Sequence, residues 1–466
     1  MHRWELRWQK FYRELKNTRF GLKILQRVPE ELLERIPYEA IPLWVAATLT
    51  GLVSVLYEKL FGWFEKAGES IFEFNPYLIF ITAPVFMFLG WYFVDKYDKN
   101  AAGSGIPQLM AAVDLAGTRN ASKVNTLLNL KVIAVKIASS LFLLLGGGAI
   151  GREGPTLQIA GSIYQIVYRL IPEGWSKVSQ KIMIITGGAS GLAAAFNTPL
   201  GGIVYVVEEL TKSHIGKFRT AVFTSVIISG MAAQLFLGSY LYLGFPRINP
   251  MPFTGIFWVL VLAFISGYAG SAFSKLLLKI AELRSRIKNN YWKLASILVL
   301  ALAFATIVFF AGPYTMGTGK PLINTILFDQ PQQPWYMFPA RFLGSVLTFS
   351  VGGAGGIFAT SLSSGASLGT LLVDLIGIPE SYHNLLVLVS MIGFLTGVTR
   401  SPFTASILVL EMTDRHSAIF YFLLAGMVAN LAAGQVLNTS FYEIRRNEIV
   451  ERLKSLKKKS EPKVNP

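Results

Sequence analysis

Apolar positions recur along this chain in long runs, at roughly 42 to 57, 77 to 94, 124 to 150, 180 to 210, 219 to 245, 253 to 275, 292 to 312, 338 to 351, 384 to 411 and 417 to 437. A helix that crosses a bilayer needs about 20 apolar residues. Several of the runs are shorter than that or are cut by glycine and proline, at Gly103 to Pro107, Gly146 to Pro155, Gly187 to Gly191, Pro199 to Gly202 and Gly352 to Gly369. The pattern predicts an all-α polytopic membrane protein whose helices are broken at membrane depth. Broken backbone is tolerated there only where it is buried in protein or lines a cavity, so the breaks point to a solute pathway built from helix ends.

The runs fall into two stretches of similar make-up, about 40–215 and about 250–440, separated by a loop near Gly244 to Pro252. An internal repeat of the kind found in transporters is the expectation, although the two stretches show no clear residue-by-residue match. They leave 1–37 as an N-terminal amphipathic helix, 38–440 as the transmembrane domain and 441–466 as a short basic tail, with no room for a folded regulatory domain.

Composition agrees with a membrane protein. Of the 466 residues, 52% are hydrophobic and only 15% charged, against about 25% charged in an ordinary soluble domain, and the mean hydropathy is +0.48. A disordered or nucleic-acid-wrapping protein is excluded. The formal net charge is +16, with nine Lys/Arg in the first 37 residues and eight after Tyr442. Basic ends are retained on the inner side, so both termini are expected in the cytoplasm of a multi-pass protein of the cell (inner) membrane, with an even number of crossings. The amino terminus does not read as a signal peptide. With no cysteine, disulfides, cysteine-ligated zinc and thiol catalysis are absent; neither metal nor cofactor is expected.

Four strings carry candidate chemistry. Gly103-Ser104-Gly105-Ile106-Pro107 places glycines, a hydroxyl and an early helical proline where backbone can approach an anion; the plainer alternative is a turn with Ser104 as the helix N-cap. Gly151-Arg152-Glu153-Gly154-Pro155 puts a carboxylate at a helix start inside an apolar run, where it must be paired, protonated or functional. Glu153 at that place competes with an anion for the same donors; the alternative is an Arg152 to Glu153 pair capping the helix. Gly355-Gly356-Ile357-Phe358-Ala359 leaves the amides of Ile357 and Phe358 to face an ion, or serves only close helix packing. Phe196-Asn197-Thr198-Pro199-Leu200 leads to Glu208 and Glu209, of which Glu209 is a candidate inner-side proton acceptor or simply an interfacial acid. Lys136 stands alone between apolar residues, either raising the local positive potential or else snorkelling or pairing.

In this order and spacing, the strings resemble the CLC family of chloride channels and proton-coupled chloride exchangers, of the prokaryotic type without CBS domains, from about Leu43 to Tyr442. The resemblance implies a homodimer of tilted, broken helices in two inverted repeats, each subunit with its own pathway. It implies a dehydrated chloride held by the hydroxyls of Ser104 and Tyr442 and by the amides of Ile357 and Phe358, with Gly154 contributing backbone. Gly103, Gly105, Gly356, Arg152 and Lys136 are implied in support. Glu153 matches the family's outer gating glutamate and Glu209 the inner glutamate of exchangers. Thr360 and Gln108 depart from the usual pattern, which has proline and an acid there.

The function expected is secondary active exchange of chloride for protons, in a lipid bilayer and without nucleotide or nucleic acid; the alternative is a passive, voltage- or pH-gated chloride channel. Gly317-Thr318-Gly319-Lys320 fails as a phosphate loop because Pro321 follows and the first glycine of that motif is missing. Intramembrane serine hydrolysis at Ser190 fails because His2, His214, His383 and His416 all lie at or beyond segment ends.

Overall fold

The computed structural model describes residues 30–172, 178–210, 219–238, 241–249 and 251–458. Most of the expected N-terminal amphipathic helix, at 1–37, lies outside the described residues. Seventeen α-helices of five residues or more stand among the described residues. The first eight are α1 (Glu30–Phe74), α2 (Ile79–Tyr97), α3 (Ile106–Leu115), α4 (Leu130–Leu145), α5 (Glu153–Leu170), α6 (Gln180–Phe196), α7 (Pro199–Tyr205) and α8 (Arg219–Leu237). Eight more come next: α9 (Ile256–Ser285), α10 (Asn290–Ala311), α11 (Lys320–Asn324), α12 (Met337–Ser350), α13 (Phe358–Ile376), α14 (His383–Thr399), α15 (Pro402–Thr413) and α16 (Ile419–Gly434). The last is α17 (Phe441–Lys458). Among the described residues there is no strand beyond two isolated bridges, and nine helical segments are long and apolar enough to cross a membrane. Others, such as α3, α7, α11 and α15, are too short to cross alone, as the glycine and proline breaks predict.

Helix for helix, α1 to α8 return as α9 to α16. The packed pairs repeat as well: α1 on α8 as α9 on α16, α2 on α4 as α10 on α12, α5 on α6 as α13 on α14. Helices α6 and α14 each have 17 residues. Each ends on a left-handed non-glycine residue, Asn197 at φ 56° and Arg400 at φ 62°. Each is followed by a short helix that opens on proline, Pro199 or Pro402. The residue-level match that the sequence hides is therefore present in the backbone.

The two halves are also tied reciprocally. Glu208, just after α7, accepts from the amides of Phe403 (3.1 Å) and Thr404 (2.6 Å) at the start of α15. Glu411, near the end of α15, accepts from the amides of Leu200 (3.0 Å) and Gly201 (2.6 Å) at the start of α7. Each carboxylate satisfies amides that a helix start leaves without partners, and its charge suits the positive end of the dipole. A contact in which each half does the same thing to the other requires a local two-fold relation.

The boundary drawn at 37 meets no break in structure, whereas the one at 441 falls where α17 begins. Helix α1 runs through residue 38 without interruption. At the other end, Ser440, Phe441, Tyr442 and Glu443 begin a helix in place of a solvated tail: the Ser440 hydroxyl accepts from the Glu443 amide at 3.0 Å, an N-cap with glutamate three positions on. Phe441, Tyr442 and Leu453 are buried. Arg446 reaches Asp114 of α3 at 3.3 Å, and Lys123 donates to the Leu453 carbonyl.

The reciprocal caps make a symmetric prediction. Glu208→Ala and Glu411→Ala should destabilise the protein by similar amounts, on the order of 1–3 kcal/mol each for charge-assisted bonds. Thermal unfolding of the purified variants in detergent measures this, and a large effect from one with none from the other would refute the equivalence.

Candidate functional site

Three glycine loops, before α3, before α5 and before α13, are laced together by backbone. Gly103 donates to Gly353 O at 2.8 Å, and Gly355 donates back to Gly103 O at 3.2 Å. Gly151 and Gly356 exchange both bonds, at 2.8 and 2.7 Å. Helix α4 stands behind this seam: Lys136, fully buried, donates from Nζ to Gly103 O at 2.9 Å, and the Ser139 hydroxyl accepts from the Ala354 amide at 2.9 Å. Lys136 is thus not snorkelling; its ammonium is bound to a loop carbonyl.

The seam brings most of the candidate residues together. Gly105, at φ 96°, is the N-cap of α3, and no side chain caps it. The reading of Ser104 as N-cap is therefore overturned: the left-handed turn at Gly105 puts the hydroxyl elsewhere, and it has no hydrogen-bond partner among the described residues. Ser104 faces Gly154 so closely that a Cβ on Gly154 would lie 2.1 Å from its Oγ. A Cβ on Gly356 would be 3.1 Å from the Gly154 nitrogen. Glycine at 154 is needed for close approach of chains. The starts of α5 and α13 and the Ser104 loop therefore converge, with the first amides of both helices lacking intrahelical acceptors.

Glu153, the first residue of α5, is completely buried. Neither carboxylate oxygen has a hydrogen-bond partner among the described residues. Its Oε2 lies against Gly151, 2.4 Å from where a Cβ there would sit, and the Ala359 nitrogen is 3.4 Å from that same point. The carboxylate occupies the junction of the two helix starts. Arg152 does not pair with it; its Nη2 meets Glu58 of α1 at 2.7 Å. Phe358 and Ile357 are buried, and the Phe358 ring packs 5.5 Å from Phe196.

Tyr442, in the first turn of α17, is buried beside Ser104, with Glu209 and Glu153 within electrostatic reach. Its hydroxyl has no partner among the described residues. Glu209 stands apart from the seam, half-buried, accepting from the Ser401 hydroxyl at 2.5 Å. Between them lies Tyr205, buried, within reach of both Glu209 and Tyr442, its hydroxyl likewise without a partner among the described residues. Sequence reasoning missed Tyr205, which looks like one more aromatic in an apolar helix.

A cavity of about 260 Å³ opens onto Ser104, and four cations stand around it: Lys99, Arg284, Arg445 and Arg452. These too were missed as a group, since they come from three separate elements, with Arg445 and Arg452 both on α17. The two departures from the family pattern each make one local hydrogen bond, although Gln108 Oε1 is buried without a partner among the described residues. Gln108 donates to Ala102 O at 2.7 Å, and the Thr360 hydroxyl donates to Ile357 O at 3.2 Å. Ser190 pairs with the Tyr164 hydroxyl at 2.8 Å, a packing role for that glycine-rich helix.

The close approach at Gly154 yields a prediction. A Cβ in Gly154→Ala would meet both the Ser104 hydroxyl and, at 2.8 Å, the Ser104 carbonyl, so the Ser104 loop must shift and chloride binding should fall by at least about tenfold, since ~1.4 kcal/mol of misplaced contact suffices. Calorimetric titration of chloride into the purified variant measures it; binding at the wild-type level would show that Ser104 and Gly154 do not face the ion.

Comparison with known proteins supplies the family. The family model described as voltage gated chloride channel matches residues 85–434. Among solved structures, a slow cyanobacterial Cl⁻/H⁺ antiporter superposes with a TM-score of 0.74 at 22% identity, covering 88% of this chain and 98% of that one. A CLC-type fluoride/proton antiporter gives 0.71 at 23% identity, covering 92% and 99%. A eukaryotic CLC transporter gives 0.67 at 21% identity, covering 88% and 74%. At these identities the structures establish the fold, and the family match over three-quarters of the sequence establishes membership: the chain belongs to the voltage-gated chloride channel, or CLC, family of membrane transport proteins.

Proposed function

We propose that this protein exchanges chloride for protons, with Glu153 as the group that alternates between the anion pathway and the outer solution and Glu209 as the inner proton acceptor. The observation that carries the reading is a file of buried polar atoms that make no hydrogen bond of good geometry among the described residues, although the Ser104 and Tyr442 hydroxyls lie side by side: both Glu153 oxygens, Ser104 Oγ, Tyr442 Oη and Tyr205 Oη. Buried polar atoms are nearly always satisfied, so a connected group of exceptions calls for a functional explanation. Hydroxyls and helix-start amides facing one point suit a dehydrated anion, held without the trapping a lysine or arginine would cause. A carboxylate at the same junction competes for those donors, and its exchange with chloride ties proton movement to anion movement.

The proton reading rests on Glu209 and Tyr205 leading toward Tyr442. In the passive-channel alternative Glu209 is idle. The cation-rimmed cavity and basic α17 are assigned to the cytoplasmic side by the excess of Lys and Arg there, and the end carrying Glu65, Glu69 and Glu73 of α1 faces outward. Homodimerisation through α7, α8, α15 and α16 is part of the proposal; these helices carry exposed apolar residues, among them Leu235, Phe420 and Leu431, as lipid-facing helices such as α2 and α10 also do.

In proteoliposomes under an imposed chloride gradient, the wild type should drive protons uphill. Glu153→Gln and Glu209→Gln should each abolish that proton flux while chloride flux persists. Chloride movement without proton coupling in the wild type would reject exchange in favour of the channel.

A further inference from the structure

The corner where α9 gives way to α10 holds a groove of about 590 Å³ that shares only Arg284 with the Ser104 cavity. Its walls are apolar, with Ile280, Val299 and Leu300, and its rim carries Arg284, Arg286 and Lys288 beside the indole of Trp292. Both helices are long and apolar enough to cross a membrane, and the turn between Ser285 and Asn290 is the place where the two leave the hydrocarbon. Val299 is 65% exposed and Trp292 69% exposed. The apolar wall is thus continuous with a lipid-facing helix, and an amphipathic aromatic marks the level of the head groups.

Charge decides the occupant. Three cations around one end of an apolar slot complement a phosphate joined to an acyl chain, and basic pockets between transmembrane helices are suited to anionic head groups. Arg286 is held by Glu282 of the preceding turn, at 2.6 Å, with both side chains well exposed; such a pair contributes little and exchanges readily. Arg284 links the groove to the cation-rimmed cavity, since it lines both. It donates to the Ser350 carbonyl, and its Nε is buried without a partner among the described residues.

We propose that this groove binds an anionic phospholipid, its phosphate on Arg286 and Lys288 and its acyl chain along α10, with Arg284 joining the bound head group to the wall of the vestibule. The site does not depend on the exchange reaction, and its test reads lipid rather than transport.

The experiment equilibrates the purified full-length protein with mixed micelles of phosphatidylglycerol and phosphatidylcholine and counts retained lipids by native mass spectrometry. The wild type should keep about one phosphatidylglycerol per subunit, with a several-fold preference over phosphatidylcholine. The double variant Arg286→Gln, Lys288→Gln should lose that preference while its chloride flux in neutral-lipid vesicles stays at the wild-type level. Equal retention of the two lipids by the wild type overturns the proposal, as does an unchanged preference in the double variant. Displacement of the phosphatidylglycerol by excess inorganic phosphate alone would also overturn it, showing a free-anion site without use of the acyl wall. The wild-type comparison decides the matter even if the variant fails to fold.

Discussion

Everything at the centre of this protein depends on four backbone hydrogen bonds that join loops from its two halves, Gly103 with Gly353 and Gly355, and Gly151 with Gly356. A helix that stops inside a membrane exposes amides or carbonyls that hydrocarbon cannot satisfy. The bridges solve this by letting the interrupted segments serve one another, which also fixes the starts of α5 and α13 side by side. Amides that must stay available at those starts are then positioned by amides that are fully used. Glycine is required in the loops because the chains pass too closely for a Cβ and because Gly103 and Gly105 adopt left-handed backbone.

The repeat shows how one device is used twice with different outcomes. Gly317-Thr318-Gly319-Lys320-Pro321, which reads as a failed phosphate loop, precedes α11 as Gly103-Ser104-Gly105-Ile106-Pro107 precedes α3, with Gly317 and Gly319 at φ 56° and 78° against 64° and 96°. Arg341 of α12 holds Gly317 O at 2.8 Å, and Thr315 O and Met316 O at 2.9 and 2.7 Å, as Lys136 of α4 holds Gly103 O. In the second copy, however, the Thr318 amide and hydroxyl are bound by Glu65 of α1, at 2.6 and 2.9 Å. A carboxylate of the protein itself fills the place beside Thr318, whereas the Ser104 hydroxyl meets no such acid. The asymmetry needs a single acid on α1, and the proposed anion site uses the loop that this acid leaves open.

Much of this was legible in the sequence, for definite reasons. Glycine and proline interruptions in apolar runs mark helix breaks wherever they occur, and an ionisable residue such as Glu153 or Lys136 stands out because it sits in a long, otherwise apolar stretch. What the sequence concealed were partners. Nothing near Arg152 names Glu58, and nothing near Gly103 names Lys136, because those contacts come from other helices. Ser104 looked like a cap because serine before a helix usually is one; the left-handed Gly105 that displaces it is a matter of backbone. The repeat was expected, but its residue-by-residue match was not legible because the signal lies in sparse, spaced features: Gly-x-Gly-x-Pro at 103 and 317, and proline followed nine positions later by glutamate at Pro199 and Pro402. Packing residues between these marks are free to vary.

The placement of charge follows from the same constraint. A strongly basic protein that handled anions by direct ion pairing would hold them too tightly to release them. Here the buried cations nearest the seam are bound by protein groups, Lys136 and Arg341 by loop carbonyls and Arg152 by Glu58, so their fields act without a free ammonium or guanidinium reaching the centre. The cations lining Ser104's cavity are Lys99, Arg284, Arg445 and Arg452, and under the proposed function they concentrate anions without desolvating them. In the same reading, hydroxyls and amides take over where water is left behind. Attraction at the mouth and neutral donors at the centre separate capture from release, and the sequence achieves it by committing each buried positive charge to backbone or to an acid on another helix.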